Sequence, residues 1–211
     1  MIPNDSLLQI SKEVATCMQC NLHYSRKLAV AGEGPLNASI MFIGEGPGFF
    51  ENEQGRPFVG AAGKFLDELL EKIGMKRSDV YITNIVKCRP PGNRDPEPRE
   101  IEACSAYLER QIQLINPKVI VTLGRHSMGR FLPNAKIGDL HGQALRVKGR
   151  LVVAMYHPAA ALHQHSMRPT IEADFARLPE LIATVDQNPQ NEQEQGEEKD
   201  APGNAKQLSM F

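Results

Sequence analysis

Four cysteines have the spacing in this sequence that most directly suggests chemistry. Cys17 and Cys20 are separated by two residues, and Cys88 and Cys104 follow much later. Two thiolates at the first spacing can reach one metal centre, and a chain whose N-terminus resembles no export signal is not expected to form disulfides. Unrelated buried thiols, a zinc site and an iron–sulfur cluster all remain open. The wide second pair favours the cluster, because zinc sites usually use two short pairs.

A glycine-rich segment, GEGPG at 44–48, follows an apolar run. Its glycines permit tight turns and a close approach of backbone to a ligand. The phosphate-binding pattern GxxxxGK[ST] is absent and GxGxxG is only loosely imitated, so nucleotide cofactors are poorly supported. Glu45 is expected at the strand end with its carboxylate in a cleft, although a plain turn with a solvated Glu45 is the alternative. Glu51 and Phe58 follow closely.

The elements that must position these residues alternate between strand and helix. Apolar runs rich in Val and Ile predict buried strands at 38–45, 79–88, 117–124 and 150–157. Helical spacing of apolar residues predicts helices at 60–74, 96–115 and 168–184. The alternation predicts an α/β fold with a mostly parallel sheet.

Functional residues in such sheets lie at the carboxyl ends of the strands. Three predicted strand ends carry chemically useful groups: the GEGPG segment, Asn84 with Cys88, and His157 within YHPAA. A lone His-Pro often only closes a strand, so His157 by itself is ambiguous. The convergence of the three strand ends predicts a functional site.

Composition divides the chain of 211 residues into a folded body, 1–185, and a tail. Hydrophobic residues make up 41% of the chain, and no apolar run approaches the ~20 residues of a membrane span, so a cytoplasmic protein is expected. Residues 186–206 lack Val, Ile, Leu and aromatic side chains, which predicts a disordered acidic linker. The tail carries six acidic and two basic side chains; because the whole chain carries −1, the body carries +3. A mildly basic body is compatible with a polyanion partner but does not require one.

The motifs together are more specific than each alone. CxxC, GEGPG, GRPFVGAAG, TNIVKCRPP, Cys104 and YHPAA occur in this order. The combination closely resembles the family 4 uracil-DNA glycosylases, the iron–sulfur branch of the uracil-DNA glycosylase superfamily, from about Cys17 to about Leu181. The resemblance implies a three-layer α/β/α sandwich with a four-stranded parallel sheet. It also implies hydrolysis of the bond between uracil and deoxyribose by a base-flipping, monofunctional enzyme of base excision repair.

The resemblance also assigns roles to individual residues. The ligands of a [4Fe–4S] cluster fall on Cys17, Cys20, Cys88 and Cys104. Asn84 takes the position of the amide that pairs with O4 and N3–H of uracil, and Phe58 that of the aromatic platform for the base. His157 matches the histidine that donates to uracil O2, and Glu45 stands where the superfamily places its water-handling residue. Glu51 matches a second acid, and the loop residues Gly46, Pro47 and Gly48 would shape the pocket.

The sequence also predicts contacts with DNA and with a partner protein. Arg56 and Arg168 are candidate phosphate contacts, and Leu162 is the candidate wedge in the duplex. The segment after Cys88, RPPGNRDPEP, lacks the basic insert of a related branch that stays covalently attached to DNA, so turnover is expected. The last five residues resemble peptides that bind the bacterial sliding clamp, with contacts from Gln207, Leu208, Met210 and Phe211. The alternative to a clamp-binding peptide is a tail that ends in apolar residues by chance. The protein is expected to be a monomer associated with the bacterial nucleoid.

Two other classes of protein remain open. One is a non-catalytic DNA-binding or polymerase-associated module that keeps the fold and the cluster. The other is a structural zinc protein with an unrelated α/β hydrolase activity. The joint presence of Glu45, Phe58, Asn84 and His157 favours an active enzyme over the first.

Overall fold

The computed structural model describes residues 6–187. Within this range one sheet has five strands: β1 (Ile40–Gly44), β2 (Tyr81–Asn84), β3 (Val119–Leu123), β4 (Gln143–Val147) and β5 (Arg150–Met155). Their order across the sheet is β2-β1-β3-β5-β4, and β1, β2, β3 and β5 are parallel. The predicted α/β class and the four parallel strands are confirmed.

The predicted strand count of four is wrong, because β4 adds an antiparallel edge strand beside β5. The two strands form a hairpin through Lys148 and Gly149, which have positive φ angles of 48° and 78°. Two central residues with positive φ are typical of the hairpin turns whose twist matches that of the strands. The residues of β4 are exposed or half-buried. The β4 segment therefore has no apolar run, and it was not predicted because apolar runs are the signal that predicts the other strands.

Helices flank the sheet: α1 (Leu7–Thr16), α2 (Phe49–Gln54), α3 (Ala61–Lys72), α4 (Pro98–Ile115), α5 (Arg125–Gly129), α6 (Ile137–Leu140), α7 (Ala159–His163), α8 (Arg168–Ala176) and α9 (Leu178–Gln187). The predicted helix at 168–184 is two helices, α8 and α9. Pro179 explains the break, because it has no N–H to donate to the carbonyl of Phe175.

The sheet has a hydrophobic core on each face. Phe42 packs in one core with Phe65 of α3 and Phe175 of α8, whereas Met41 and Ile43 pack in the other with α1 and α4. Consecutive strand residues point to opposite faces, so a sheet covered on both sides requires continuous apolar runs. The structure thus confirms the three-layer α/β/α sandwich.

The predicted linker at 186–206 and the predicted clamp-binding peptide at 207–211 lie outside the described residues, except that residues 186 and 187 end α9. Across the range that the structure describes, no helix is long and apolar enough to cross a lipid bilayer.

Candidate active site and cysteine site

The carboxyl ends of the parallel strands bring the predicted site residues to one edge of the sheet. Gly44 ends β1 beside Asn84, which ends β2, and Glu45 follows Gly44 directly. His157 follows β5 and lies against Gly124 at the end of β3, where an added Cβ would be 3.2 Å from the Cβ of His157. The sheet topology therefore brings the ends of all four parallel strands to the same edge of the sheet.

Gly44 allows two functional side chains to meet. A Cβ at this position would lie 2.4 Å from Asn84 Oδ1 and 2.7 Å from Phe58 Cζ. Any larger residue would displace one of these two groups. The absence of a side chain at Gly44 is thus a condition for the close approach of the amide to the aromatic ring.

Asn84 is buried, with 2% of its surface exposed. Its Oδ1 has no hydrogen-bond partner among residues 6–187, while its backbone oxygen accepts a hydrogen bond of 2.8 Å from Lys87 Nζ. Leaving a buried acceptor unpaired is costly, so native structures rarely do so. The unpaired oxygen therefore indicates a site for a ligand that carries an N–H or O–H donor.

Phe58 has a left-handed backbone conformation with φ of 52°. The guanidinium of Arg77 donates to the carbonyl oxygens of Phe58, at 3.1 Å, and of Pro57. A Cβ on Gly63 would lie 2.0 Å from the carbonyl oxygen of Phe58, so the first turn of α3 fits against this loop only because position 63 has no side chain. These contacts hold the backbone of Phe58 in a conformation that an unsupported loop would rarely adopt.

Glu51 holds the other side of the same loop. Its Oε1 accepts hydrogen bonds from the backbone N–H groups of Val59 and Gly60, at 2.8 and 2.9 Å. The carboxylate predicted as a second pocket acid therefore binds the backbone immediately after Phe58. In this position it can orient Phe58.

His157 presents one ring nitrogen as a donor. The backbone N–H of Ala159 donates to Nδ1 over 3.1 Å, which places the proton of the neutral ring on Nε2. Burial lowers the pKa of His157 to about 4, while the charge of Glu51 has the smaller, opposite effect. The imidazole is therefore neutral near pH 7 and stacks on Phe58, with ring centroids 5.5 Å apart.

Glu45 lies beside two residues that the sequence analysis did not assign to the site. His126 Nε2 is 3.9 Å from Glu45 Oε2 and 3.3 Å from Asp95 Oδ2. Burial raises the pKa of Glu45, Asp95 raises it further, and His126 lowers it. Ligand atoms of the three lie within 4.8 Å of one another, an arrangement of oxygens and nitrogen that could hold a divalent cation. No local pattern links these residues, because Glu45 follows β1, Asp95 precedes α4 and His126 lies in α5.

The two predicted phosphate contacts are engaged in ion pairs. Arg56 Nε lies 2.8 Å from Glu33, and the guanidinium of Arg168 lies 2.7 Å from Glu68 and 2.9 Å from Glu172. Both guanidinium groups lie on the surface, where such pairs contribute little and can exchange for phosphate. Their role in DNA binding stays a prediction.

Leu162, the predicted wedge, is about half exposed on α7, which follows β5. In the loop after β1, a Cβ on Gly46 would lie 2.8 Å from Val86 Cγ2, Pro47 is buried, and Gly48 precedes the first turn of α2. The loop therefore packs tightly against the end of β2.

All four cysteines line one pocket: Cys17, Cys20, Cys88 and Cys104. No three cysteine sulfurs among residues 6–187 lie within 4.8 Å of one another. Tetrahedral zinc with Zn–S bonds of about 2.3 Å requires sulfurs about 3.8 Å apart. The four cysteines therefore share one pocket, with their sulfurs farther apart than one bound zinc ion would hold them. A larger centre with four thiolate ligands fits this set of donors.

Two cations that the sequence analysis did not assign line the same pocket. Arg26 Nη1 donates to Cys88 Sγ over 3.5 Å, and the backbone N–H of Lys87 donates to Cys104 Sγ over 3.3 Å. Burial raises the pKa of Cys104 to about 11 and lowers the pKa of Lys87 to about 8. A lysine inside the apolar run before Cys88 is the one sequence signal that could have drawn attention to it.

Comparisons with known proteins identify the family of the chain. Residues 31–178 match the model of the uracil DNA glycosylase superfamily. The chain is 48% identical to a type-4 uracil-DNA glycosylase of Sulfurisphaera tokodaii, over 85% of this chain and 86% of the relative. It is 49% identical to the type-4 enzyme of Saccharolobus solfataricus (85% and 88% covered) and 46% identical to that of Archaeoglobus fulgidus (84% and 94% covered). The chain belongs to the type-4 family of the uracil-DNA glycosylase superfamily.

Proposed function

We propose that this protein is a monofunctional uracil-DNA glycosylase, which hydrolyses the bond between uracil and deoxyribose in DNA and so starts base excision repair. The observation that carries the proposal is the unpaired Oδ1 of buried Asn84, next to Phe58 and close to the strand end that bears His157. Family membership supplies the reaction class. The side chains determine how the reaction proceeds.

Asn84 recognises the base through the Watson–Crick edge of uracil. Its Oδ1 accepts from N3–H, which satisfies the unpaired atom, and its Nδ2 donates to O4. Cytosine presents an acceptor at N3 and a donor at N4, so both hydrogen bonds would be reversed and the buried oxygen would stay unpaired. A site that depends on such bonds rejects a mismatched ligand strongly.

His157 and Glu45 act on the bond itself. As the bond breaks, negative charge develops on uracil O2, and the Nε2–H of neutral His157 is a pre-oriented donor to that oxygen. The sugar gains positive charge, which the carboxylate of Glu45 stabilises while it orients the attacking water. Glu45 must therefore be ionised and His157 neutral in the active state.

Base flipping is required because the target bond is inaccessible in stacked DNA and Asn84 is buried. Phe58 then recovers part of the lost stacking, on the order of 1–3 kcal/mol per base. Lys87, the lysine beside Asn84, uses its ammonium in three internal hydrogen bonds. It therefore offers no free amine for a covalent intermediate, which supports the monofunctional assignment.

The four cysteines are the proposed ligands of a [4Fe–4S] cluster. Their shared pocket and the wide separation of their sulfurs support a cluster over a single zinc ion. When bound, the cluster supplies four iron–thiolate bonds, which join the segment after α1 to the end of β2 and to α4. A stabilising role is thereby proposed for it.

The proposed partners of the protein are DNA and the replication sliding clamp. Uracil-containing DNA is the substrate, and the enzyme acts as a monomer at the bacterial nucleoid in the cytoplasm. The segment 207–211 binds the replication sliding clamp, which would raise the local concentration of the enzyme at the clamp. Deleting 207–211 should abolish binding to an immobilised clamp in surface plasmon resonance and leave activity on short oligonucleotides unchanged. Unchanged clamp affinity would refute the assignment.

The proposed activity is tested with a labelled oligonucleotide that contains one uracil, which is incubated with the holoprotein and then treated with alkali. Cleavage only after alkali establishes a monofunctional glycosylase. Asn84→Ala and His157→Ala should each lower the single-turnover rate by at least about a hundredfold, as loss of an oxyanion donor typically does. The exposed control Glu71→Gln should have the single-turnover rate of the wild type, whereas Glu45→Gln should have a lower rate. An iron-loaded, folded wild type that leaves uracil in place would move the assignment to a non-catalytic DNA-binding module.

A further inference from the structure

Lys87 is a buried cation that the proposed reaction does not use. It is 1% exposed and lies between the two sites: its side chain bonds to the end of β2, where Asn84 recognises the base, and its backbone contacts a cysteine of the metal-binding pocket. Its Nζ has three partners, Thr83 Oγ1 at 2.6 Å, the backbone oxygen of Asn84 at 2.8 Å and Gln111 Oε1 at 2.7 Å.

The hydrogen bonds of these partners determine the charge of Lys87. Thr83 Oγ1 donates its only hydrogen to the backbone oxygen of Ala31 and therefore accepts from Lys87. The carbonyl of Asn84 can only accept, and so can Gln111 Oε1, because Gln111 Nε2 donates to Ala31 and Tyr81. Three acceptors require three N–H donors, which only the ammonium form provides. Lys87 is thus a fully hydrogen-bonded buried cation.

No carboxylate compensates this charge. Among residues 6–187, Lys87 Nζ makes no ion pair with a carboxylate, its three hydrogen-bond partners are uncharged, and Lys87 lines the pocket that the four cysteines share. Buried cations are otherwise paired with anions, because desolvating an isolated charge is costly. The anion that fits is the cysteine site: with its metal centre bound, four thiolates give it a net negative charge. Arg26 adds a second cation against Cys88.

From this arrangement, and given the proposed function, we infer that Lys87 is a positioning residue that links the two sites. Its ammonium balances the negative charge of the metal-bound cysteine site and holds the backbone oxygen of Asn84, so that an assembled cysteine site keeps the uracil-recognising amide in place. One side chain couples the two sites, because Lys87 Nζ carries the charge that the metal-bound cysteine site balances and also donates to the carbonyl oxygen of Asn84. Groups that hold a ligating or recognising residue typically contribute 10–100-fold to affinity or activity.

The test compares Lys87→Met, which keeps most of the length of the side chain without its charge, with Lys64→Met on the exposed surface of α3. Both are prepared as full-length, iron-loaded proteins, and the midpoint potential of the cluster is measured by spectroelectrochemistry. Removal of the nearby cation should make the potential of Lys87→Met more negative, while Lys64→Met should match the wild type. A purely structural role for Lys87 predicts no change in potential. An unchanged potential in iron-loaded Lys87→Met would overturn the inference.

The link to Asn84 has its own measurement. In Lys87→Met the single-turnover rate should fall on the order of tenfold. Affinity for abasic product DNA should stay within about twofold of the wild type, because phosphate contacts dominate it. A rate equal to that of Lys64→Met would refute the coupling.

A second variant covers the case in which Lys87→Met does not fold. Gln111→Glu places a carboxylate on the ammonium, so the chain should fold, and the potential should again become more negative because the positive charge is neutralised locally. A wild-type potential in this variant would also overturn the inference. If the wild type binds iron but is inactive, the proposed activity is refuted, and the measured potentials still decide the role of Lys87. If the wild type binds no iron, the inference itself is refuted.

Discussion

The rings of His157 and Phe58 are stacked with their centroids 5.5 Å apart and their planes at 24°. One residue follows β5 and the other lies in the loop before α3, so this contact exists only when the sheet and α3 are assembled. It joins the proposed leaving-group donor to the proposed base platform. Displacement of the Phe58 loop should therefore affect both base binding and catalysis.

Gly63→Ala should disturb this loop severely. The new Cβ would lie 2.0 Å from the carbonyl oxygen of Phe58, a backbone atom that cannot rotate away. Overpacking of this kind costs roughly 3 kcal/mol, so the free energy of unfolding in urea should fall by that amount, and excision of uracil should decline with it. The matched control is Gly129→Ala in α5, where no atom apart from the adjoining residues and the backbone of the helix itself lies within 4 Å of the new methyl group. Equal stability of the two variants would contradict the prediction.

Glu51→Ala should loosen the same loop from its other side. It removes the acceptor for the N–H groups of Val59 and Gly60. Hydrogen bonds to a charged group contribute about 1.5–3 kcal/mol each. Because these two hydrogen bonds are half-buried, the free energy of unfolding in urea should fall by about 2–3 kcal/mol, and the KM should rise. Glu51→Gln keeps a neutral acceptor and should lose about half as much. If Glu51 were instead a general base, Glu51→Gln would abolish the rate and keep the stability.

The pH dependence of catalysis should reflect Glu45. Its ionised form is required and its pKa is raised by burial, so the single-turnover rate should fall with decreasing pH at a value above the usual pKa of the side chain. Asp95 raises this pKa and His126 lowers it. Asp95→Asn should therefore shift the acidic limb to lower pH, and His126→Asn should shift it to higher pH. Superimposable profiles for the three proteins would assign the limb to another group.

The stability of the protein should fall in acid through His157. Its pKa is about 4 in the folded protein and about 6.5 in the unfolded chain, so the unfolded state binds the proton more tightly. Stability from this group is complete above about pH 6.5 and is lost as the pH falls towards 4. Between about pH 7.5 and pH 4.5 the loss should be about 2–3 kcal/mol. In His157→Asn the free energy of unfolding in urea should decrease less over this pH range, because the contribution of His157 is missing. An identical decrease in the wild type and in His157→Asn would refute the prediction.

The strands illustrate what local pattern can and cannot predict. Strands β1, β2, β3 and β5 are buried on both faces, and this burial requires continuous apolar runs that are visible in the sequence. Strand β4 is an edge strand with exposed and half-buried residues, so its sequence carries no such run. It is defined by its pairing with β5 through a two-residue turn at Lys148 and Gly149, and not by an apolar run of its own.

The sequence by itself determined which groups were available and on which strand ends they would lie. The order of its motifs determined the family, because Asn84, His157 and the cysteines occur within recognisable segments. Only the tertiary structure decided which of these groups touch. It placed Glu51 on the backbone of the Phe58 loop, and His126 and Asp95 beside Glu45. It also buried Lys87 between the two sites. The physical reason is that desolvation and hydrogen-bond partners depend on residues that are distant in the chain, and local periodicity contains no information about them.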